Sequence, residues 1–208
     1  MVNIIAIFVL AGFAIYWENR VPAYWHYILK PLTTLGIILF AITQSGSLHH
    51  NYPQLIIVGL VFSLAGDVFL MLPGDKFIPG LVSFLLAQIV YSAAFVFYAS
   101  EYSLLIGFPI LIYGAWMYYQ LHPHLGTMKI PVLIYMICIL VMVWSALNLW
   151  WDTGKTFAVF ATVGAIFFVI SDSVLAWNRF ASSRSYFRPL VLSTYFLAQL
   201  LIAQSVIR

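Results

Sequence analysis

Two aspartates, Asp67 and Asp172, interrupt long apolar stretches of a 208-residue chain in which only 7% of residues are charged. A carboxylate within a bilayer-length apolar segment is costly unless it faces a protein interior or pairs, so its default reading is functional. The settings are similar, Ser63-Leu64-Ala65-Gly66-Asp67 and Phe168-Val169-Ile170-Ser171-Asp172. Two carboxylates sharing a low-dielectric site cannot both ionise cheaply: one keeps its proton as an acid, the other stays an anion or base. The alternative is a structural polar pair hydrogen-bonded across the bundle. Gln88 with Tyr91, and Tyr195 with Gln199, form i,i+3 and i,i+4 pairs on single helix faces. Helix-to-helix hydrogen bonding explains these pairs as well as substrate contact does. Lys30 and Arg179 fall at the expected membrane edge, where each could hold a phosphate; for either alone, a snorkelling anchor is the simpler reading.

The elements that must position these groups follow from composition. The chain is 64% hydrophobic with a mean hydropathy of +1.02, far above the make-up of soluble domains. Apolar runs of about 20 residues, enough to span a bilayer as helices, recur along the whole length. Pro, Gly and charged clusters divide them into eight predicted spans: 2–17, 29–45, 53–72, 78–99, 102–120, 129–150, 155–178 and 188–206. The expectation is an all-α integral membrane protein, one transmembrane domain of eight helices. Pro31, Pro131 and Pro189 are expected near helix starts, where a missing N–H is harmless. The N-terminus lacks a basic n-region and is read as a retained first helix rather than a signal peptide.

An even number of spans puts both termini on one side. Arg20, Lys30, Lys76, Lys129, Arg179, Arg184 and Arg188 flank the loops of the opposite side; Lys155 and Arg208 lie on the side of the termini. That asymmetry places the first set in the cytoplasm and both termini outside, as for a multi-pass protein of a bacterial inner membrane. The net charge of +3 therefore reports orientation and gives no reason to expect nucleic acid as a partner.

The halves, about 1–100 and 101–208, read as parallel four-helix repeats. Leu86-Ala87-Gln88 places Gln88 21 residues after Asp67, and Leu197-Ala198-Gln199 places Gln199 27 after Asp172. Lys30, before Pro31, precedes Asp67 by 37 residues, and Lys129, just before Pro131, precedes Asp172 by 43. Each interval is six residues longer in the second half. Such repeats are related by an axis along the membrane normal. Both carboxylates should then lie roughly 6–8 Å from the midplane, at one depth in the cytoplasmic half, where the axis could bring them face to face. Gly59, Ser63 and Gly66 line up with Asp67, and Ala161, Ala165 and Phe168 with Asp172; small residues permit close helix approach or leave room for substrate.

Other chemistries find little support. His26, His49, His50, His122 and His124 lie in or beside loops, with no His-x-x-x-His spacing within a helix for zinc. No Gly-x-Ser-x-Gly elbow is present. Cys138 is the single cysteine and reads as packing. Tyr24-Trp25, Tyr118-Tyr119 and Trp150-Trp151 read as interfacial belts. Glu18, Asp75, Glu101 and Asp152 read as solvated loop acids.

In order and spacing, several words of this chain resemble the YhhN/TMEM86 family of membrane lysoplasmalogenases. They are Lys30-Pro31-Leu32, Gly66-Asp67 with Leu72-Pro73, Gly80, Phe84 through Tyr91, Gly164-Ala165, Phe167-Phe168, Ser171-Asp172, Asn178-Arg179-Phe180 and Tyr195 through Gln199. Members of the family commonly carry a histidine where this chain has Gln88, and glutamine cannot shuttle a proton. The resemblance implies hydrolysis of the vinyl-ether bond of a lysophospholipid, giving a fatty aldehyde and a glycerophospho-ethanolamine or glycerophosphocholine. It also implies an Asp67–Asp172 dyad without metal or organic cofactor. Gln88, Tyr91, Tyr195 and Gln199 would orient water or the glycerol hydroxyls, and Lys30 and Arg179 would hold the phosphate. A proton-coupled transporter or lipid translocator built on the same acids is the alternative class, and a hydrolase of another lysolipid a third.

Overall fold

A computed structural model describes residues 4–18, 24–45 and 51–207. Arg20, His49, His50 and Arg208 lie outside the described residues, as does the side chain of His26. Among the described residues the chain forms eight α-helices and no strand. They are α1 (Ile4–Trp17), α2 (Tyr24–Gln44), α3 (Asn51–Met71), α4 (Phe77–Tyr98), α5 (Gly107–Leu121), α6 (Lys129–Thr153), α7 (Thr156–Ala176) and α8 (Phe187–Gln204). Six segments are long and apolar enough to cross a membrane, covering α2 through α7. With its 14 residues α1 is about 21 Å long, short of a bilayer core of about 30 Å.

Helix ends follow local chemistry. α6 stops at Gly154, whose φ of +60° makes a left-handed cap with its N–H bonded to the Trp150 carbonyl. Beyond α7 the chain makes one π-helical turn, Trp177–Ala181, before the connection to α8. One expectation needs correction. α2 begins at Tyr24, so Pro31 lies inside the helix rather than at its start. The proline removes one intrahelical N–H from the second turn, and the helix nevertheless continues through it. Lys30 consequently sits on a helix face with a full turn of helix before it.

Helices adjacent in the chain pack together within each half: α1 through α4 in series, and α5 through α8 in series. The halves meet where α2 lies against α8 and α4 against α6, with α1 and α3 also touching α8. α6 and α7 begin at positions 129 and 156, each 105 residues after the starts of α2 and α3 at 24 and 51. One continuous buried core runs through the bundle, and a smaller cluster of Met117, Leu121, Leu125 and Val132 closes the end between α5 and α6. α5 is the outlying helix, with Phe108, Leu111 and Tyr119 largely exposed.

Of the two uses open to the small residues of α3, the structure takes close approach. A Cβ on Gly59 would lie 2.3 Å from the Tyr91 ring and one on Gly66 2.6 Å from the Phe84 ring, so α4 aromatics fill the groove beside Asp67. Gly164 is tighter in a different sense, because a Cβ there would meet backbone atoms of α8, the Ala198 carbonyl and the Ile202 amide, at 3.0 Å. Backbone cannot rotate away as a side chain can. Gly164→Ala is expected to cost about 1–3 kcal/mol through overpacking, read as a lower thermal midpoint of the purified protein in detergent. Gly12→Ala, within α1 and with nothing within 4 Å, should not lower the midpoint.

Candidate active site

Asp67 projects from α3 into a fully buried position with 0% exposure. Three side chains from two other helices meet it. Lys30 Nζ of α2 lies 3.1 Å from Oδ1. The Thr34 hydroxyl, one turn further along α2, donates to Oδ2 at 2.7 Å, and the Tyr195 hydroxyl of α8 donates to the same oxygen at 2.8 Å. Placement of Lys30 and Thr34 four residues apart puts both on the face that meets α3. An ion pair removed from water gains strength from low dielectric but loses hydration, so the two hydroxyl donors are what makes the buried carboxylate tenable.

Asp172 is bound differently. On α7 it is partly buried, and both of its hydrogen bonds fall on Oδ2, from the Tyr135 hydroxyl of α6 and from Gln88 Nε2 of α4 at 3.4 Å. The Gln88 side chain is fully buried, and its Oε1 makes no hydrogen bond among the described residues. The two aspartates do not hydrogen-bond to each other. An edge-to-face triangle of Phe84, Phe168 and Tyr195, with ring centroids 5.8–6.2 Å apart, joins their surroundings.

Two cavities adjoin this core. Among the described residues, Asp172 is the only charged one lining a narrow apolar cleft between α4, α5, α6 and α7, with Tyr135, Tyr113, Phe84 and Met117 among its walls. Tyr113 and Ser173 hydroxyls meet across it at 2.7 Å. The second cavity, about 640 Å³, is polar and opens at the end of the bundle where α3 turns into α4 and α7 runs toward α8. Its charged lining is Lys30, Lys76, Arg179 and Arg188 against Glu18 and Asp75. Leu70, Phe77 and Leu175 belong to both cavities and form the partition between them.

The expected site residues therefore separate into three places. Lys30, Tyr195 and Gln88 contact the carboxylates. Tyr91 and Gln199 bond to one another at 2.8 Å, between α4 and α8. Arg179 stands at the polar cavity, stacked on Phe77 at 5.0 Å and paired with Asp75 at 2.6 Å, both side chains substantially exposed. Lys30 is not the interfacial anchor its sequence position suggests: its side chain is 11% exposed and turned inward. Thr34 and Tyr135 are the contacts that reading by residue type passes over. A signal for the second did exist, since Tyr135 precedes Asp172 by 37 residues just as Lys30 precedes Asp67 by 37.

The sequence profile described as the YhhN family matches residues 25–206. Among curated proteins, the chain is 33% identical over 178 residues to the human "Lysoplasmalogenase TMEM86B", covering 86% of this chain and 73% of that one. It is 32% identical over 202 residues to the human "Lysoplasmalogenase TMEM86A", covering 94% and 83%. It is 26% identical over 207 residues to the "Uncharacterized membrane protein YhhN" of Escherichia coli O157:H7, covering 98% and 97%. No solved structure matches the chain.

The ion pair makes a stability prediction. Lys30→Met should destabilise by about 3–5 kcal/mol, because it strands a buried carboxylate. Tyr195→Phe, which removes one hydrogen bond to that carboxylate, should cost about 1.5–3 kcal/mol. Adding Asp67→Asn to Lys30→Met should recover much of the loss, and thermal unfolding of the single and double variants reads the difference.

Proposed function

The chain belongs to the YhhN family, and from that premise and the surroundings of Asp172 we propose that it is a lysoplasmalogenase. It would hydrolyse the vinyl-ether bond of a lysophospholipid to a fatty aldehyde and a glycerophospho-ethanolamine or glycerophosphocholine. The observation that carries this reading is one carboxylic acid on the wall of an apolar cleft that shares a partition with a basic cavity. An amphiphile with its chain in the cleft and its phosphate in the polar cavity would present the bond between them to Asp172. The relatives printed as lysoplasmalogenases support the same assignment.

In the proposed reaction Asp172, protonated, gives its proton to the β-carbon of the vinyl ether. The π pair forms the new C–H bond and leaves an oxocarbenium ion on the α-carbon and ether oxygen. Water attacks the α-carbon and loses a proton to the Asp172 carboxylate. In the resulting hemiacetal the carbon–oxygen bond to glycerol breaks as Asp172 protonates the departing oxygen and accepts the hydroxyl proton, which regenerates the acid. Asp67 supplies negative charge toward the transient cation, the role one carboxylate has in glycosidases. Tyr135 and Gln88 fix the Asp172 carboxyl, and Gln88 Oε1 serves as acceptor for the attacking water. Lys30 and Arg179 hold the phosphate from the polar cavity, while Tyr91, Tyr195 and Gln199 keep α4 and α8 in place around the site. No step requires the Gln88 position to shuttle a proton, so glutamine suffices there.

The same reading covers architecture. All eight helices would cross the membrane as two parallel four-helix units, the short α1 by local thinning of the bilayer. The common 105-residue offset of α2/α3 and α6/α7 supports this, as do the matching contacts of α2 with α8 and α6 with α4. That offset pairs Lys30 with Tyr135 rather than with Lys129. The basic end faces the cytoplasm of a bacterial inner membrane and the termini face out.

Two experiments test these statements. Purified Asp172→Asn and Asp67→Asn variants, folded in detergent, should each release aldehyde from an alkenyl-lysophospholipid at least about a hundredfold more slowly than the parent. Full activity in either would remove it from the reaction, and substrate movement across sealed vesicles without aldehyde would instead favour a transporter. A C-terminal alkaline phosphatase fusion should be active and a C-terminal green fluorescent protein fusion dark; the reverse pattern inverts the orientation.

A further inference from the structure

Lys30 belongs to two places at once. Its ammonium sits 3.1 Å from Asp67 in the core, yet the residue also lines the polar cavity with Lys76, Arg179 and Arg188. A lysine carries a compact charge on a flexible four-carbon stem, so its ammonium can exchange partners with little movement of the backbone. The polar cavity offers four cations against two carboxylates, Glu18 and Asp75, and so favours an anion. Any anion that enters competes with Asp67 for Lys30.

We propose that Lys30 is a movable counter-ion that couples headgroup binding to catalysis. With the cavity empty it neutralises Asp67; with the substrate phosphodiester in place it turns toward the phosphate and uncovers the Asp67 charge, which lies behind Tyr195 and the Phe84 ring of the cleft wall. The inference rests on the lysoplasmalogenase reading and adds a substrate-controlled switch to it. The exchange places a negative charge in a desolvated site when an oxocarbenium ion is about to form there. The uncovered anion is costly in the ground state and stabilised in the transition state, so phosphate binding energy is converted into rate rather than affinity. Thr34 and Tyr195 remain as donors to Asp67 Oδ2 throughout and hold the carboxylate in position while its Oδ1 partner leaves. Tyr195 is itself held by edge-to-face packing on Phe84 and Phe168, so this donor stays in place when the ammonium moves.

The test separates phosphate from the rest of the substrate. Purified parent protein is assayed for aldehyde release from 1-alkenyl-glycerophosphocholine, from 1-alkenylglycerol, and from 1-alkenylglycerol with added dimethyl phosphate. The expected result is a kcat on alkenylglycerol at least about tenfold below that on the intact lipid, with a saturable several-fold rise on adding dimethyl phosphate. Lys30→Met should turn over both lipids with similar kcat and show no response to dimethyl phosphate. Equal kcat of the parent protein on both lipids, with only KM changed, would overturn the coupling while leaving the proposed activity intact. Activation of Lys30→Met by dimethyl phosphate would also overturn it. No aldehyde from the intact lipid would overturn the activity and the coupling together. The three arms on the parent protein decide the matter even if Lys30→Met fails to fold.

Discussion

A lysine and an aspartate paired inside a bundle of apolar helices set the terms for the rest of this molecule. Neither Lys30 nor Asp67 could be buried alone, and burying both satisfies the charge only if the remaining lone pairs find donors. The donors come from α2 and α8, so one carboxylate on α3 fixes the approach of two other helices. Buried pairs of this kind add little net stability compared with a well-packed apolar core. Their effect is on arrangement: to slide or rotate α2, α3 and α8 relative to one another would break the ion pair and both hydroxyl bonds to the same carboxylate. The aromatic fill over Gly59 and Gly66 works in the same direction, because Tyr91 and Phe84 lock α4 onto the opposite side of α3.

Around that fixed group the second aspartate has a different life. Asp172 is held by a tyrosine and an amide, neither of which carries charge, and it faces a cleft. The two carboxylates thus differ in surroundings, one caged by a cation and two hydroxyls, the other lightly tethered. Apolar walls on one side of a thin leucine–phenylalanine partition and cations on the other give the region the same polarity profile as a single-chain lipid. On the proposed function, an amphiphile would be aligned by solvation before any specific contact forms.

The acids were legible in the sequence because charge in an apolar run is rare and expensive. The helices were legible because a bilayer-length apolar run has few other solutions. What failed was resolution at the ends. Pro31 looks like a first-turn proline, and accepting it as one moves Lys30 to the membrane edge; five more helical residues ahead of position 29 turn the same side chain into the core. Thr34 and Tyr135 were hidden for another reason. Hydroxyl residues are tolerated in apolar helices by bonding to their own backbone, as Thr33 does to Leu29, so type alone does not single out those that reach another helix. Only the equal 37-residue intervals marked Tyr135. Tyr91 and Gln199 illustrate the converse: each stood out by its spacing from a polar neighbour on its own helix, and the two bond to one another across helices instead.

The outlying position of α5 has a kinetic consequence. This helix forms one wall of the cleft while its outer face, including Phe108 and Leu111, is uncovered. A lipid that reaches the cleft past such a wall arrives by lateral diffusion within a leaflet and never passes through water. The encounter is then a search in two dimensions, and its frequency depends on the mole fraction of the lipid in the surface rather than on its concentration in the medium. Diluting the membrane with inert lipid would slow turnover while the bulk amounts of protein and substrate stay constant. For a substrate that enters this way, the Michaelis constant would be a surface quantity, set by the company the substrate keeps.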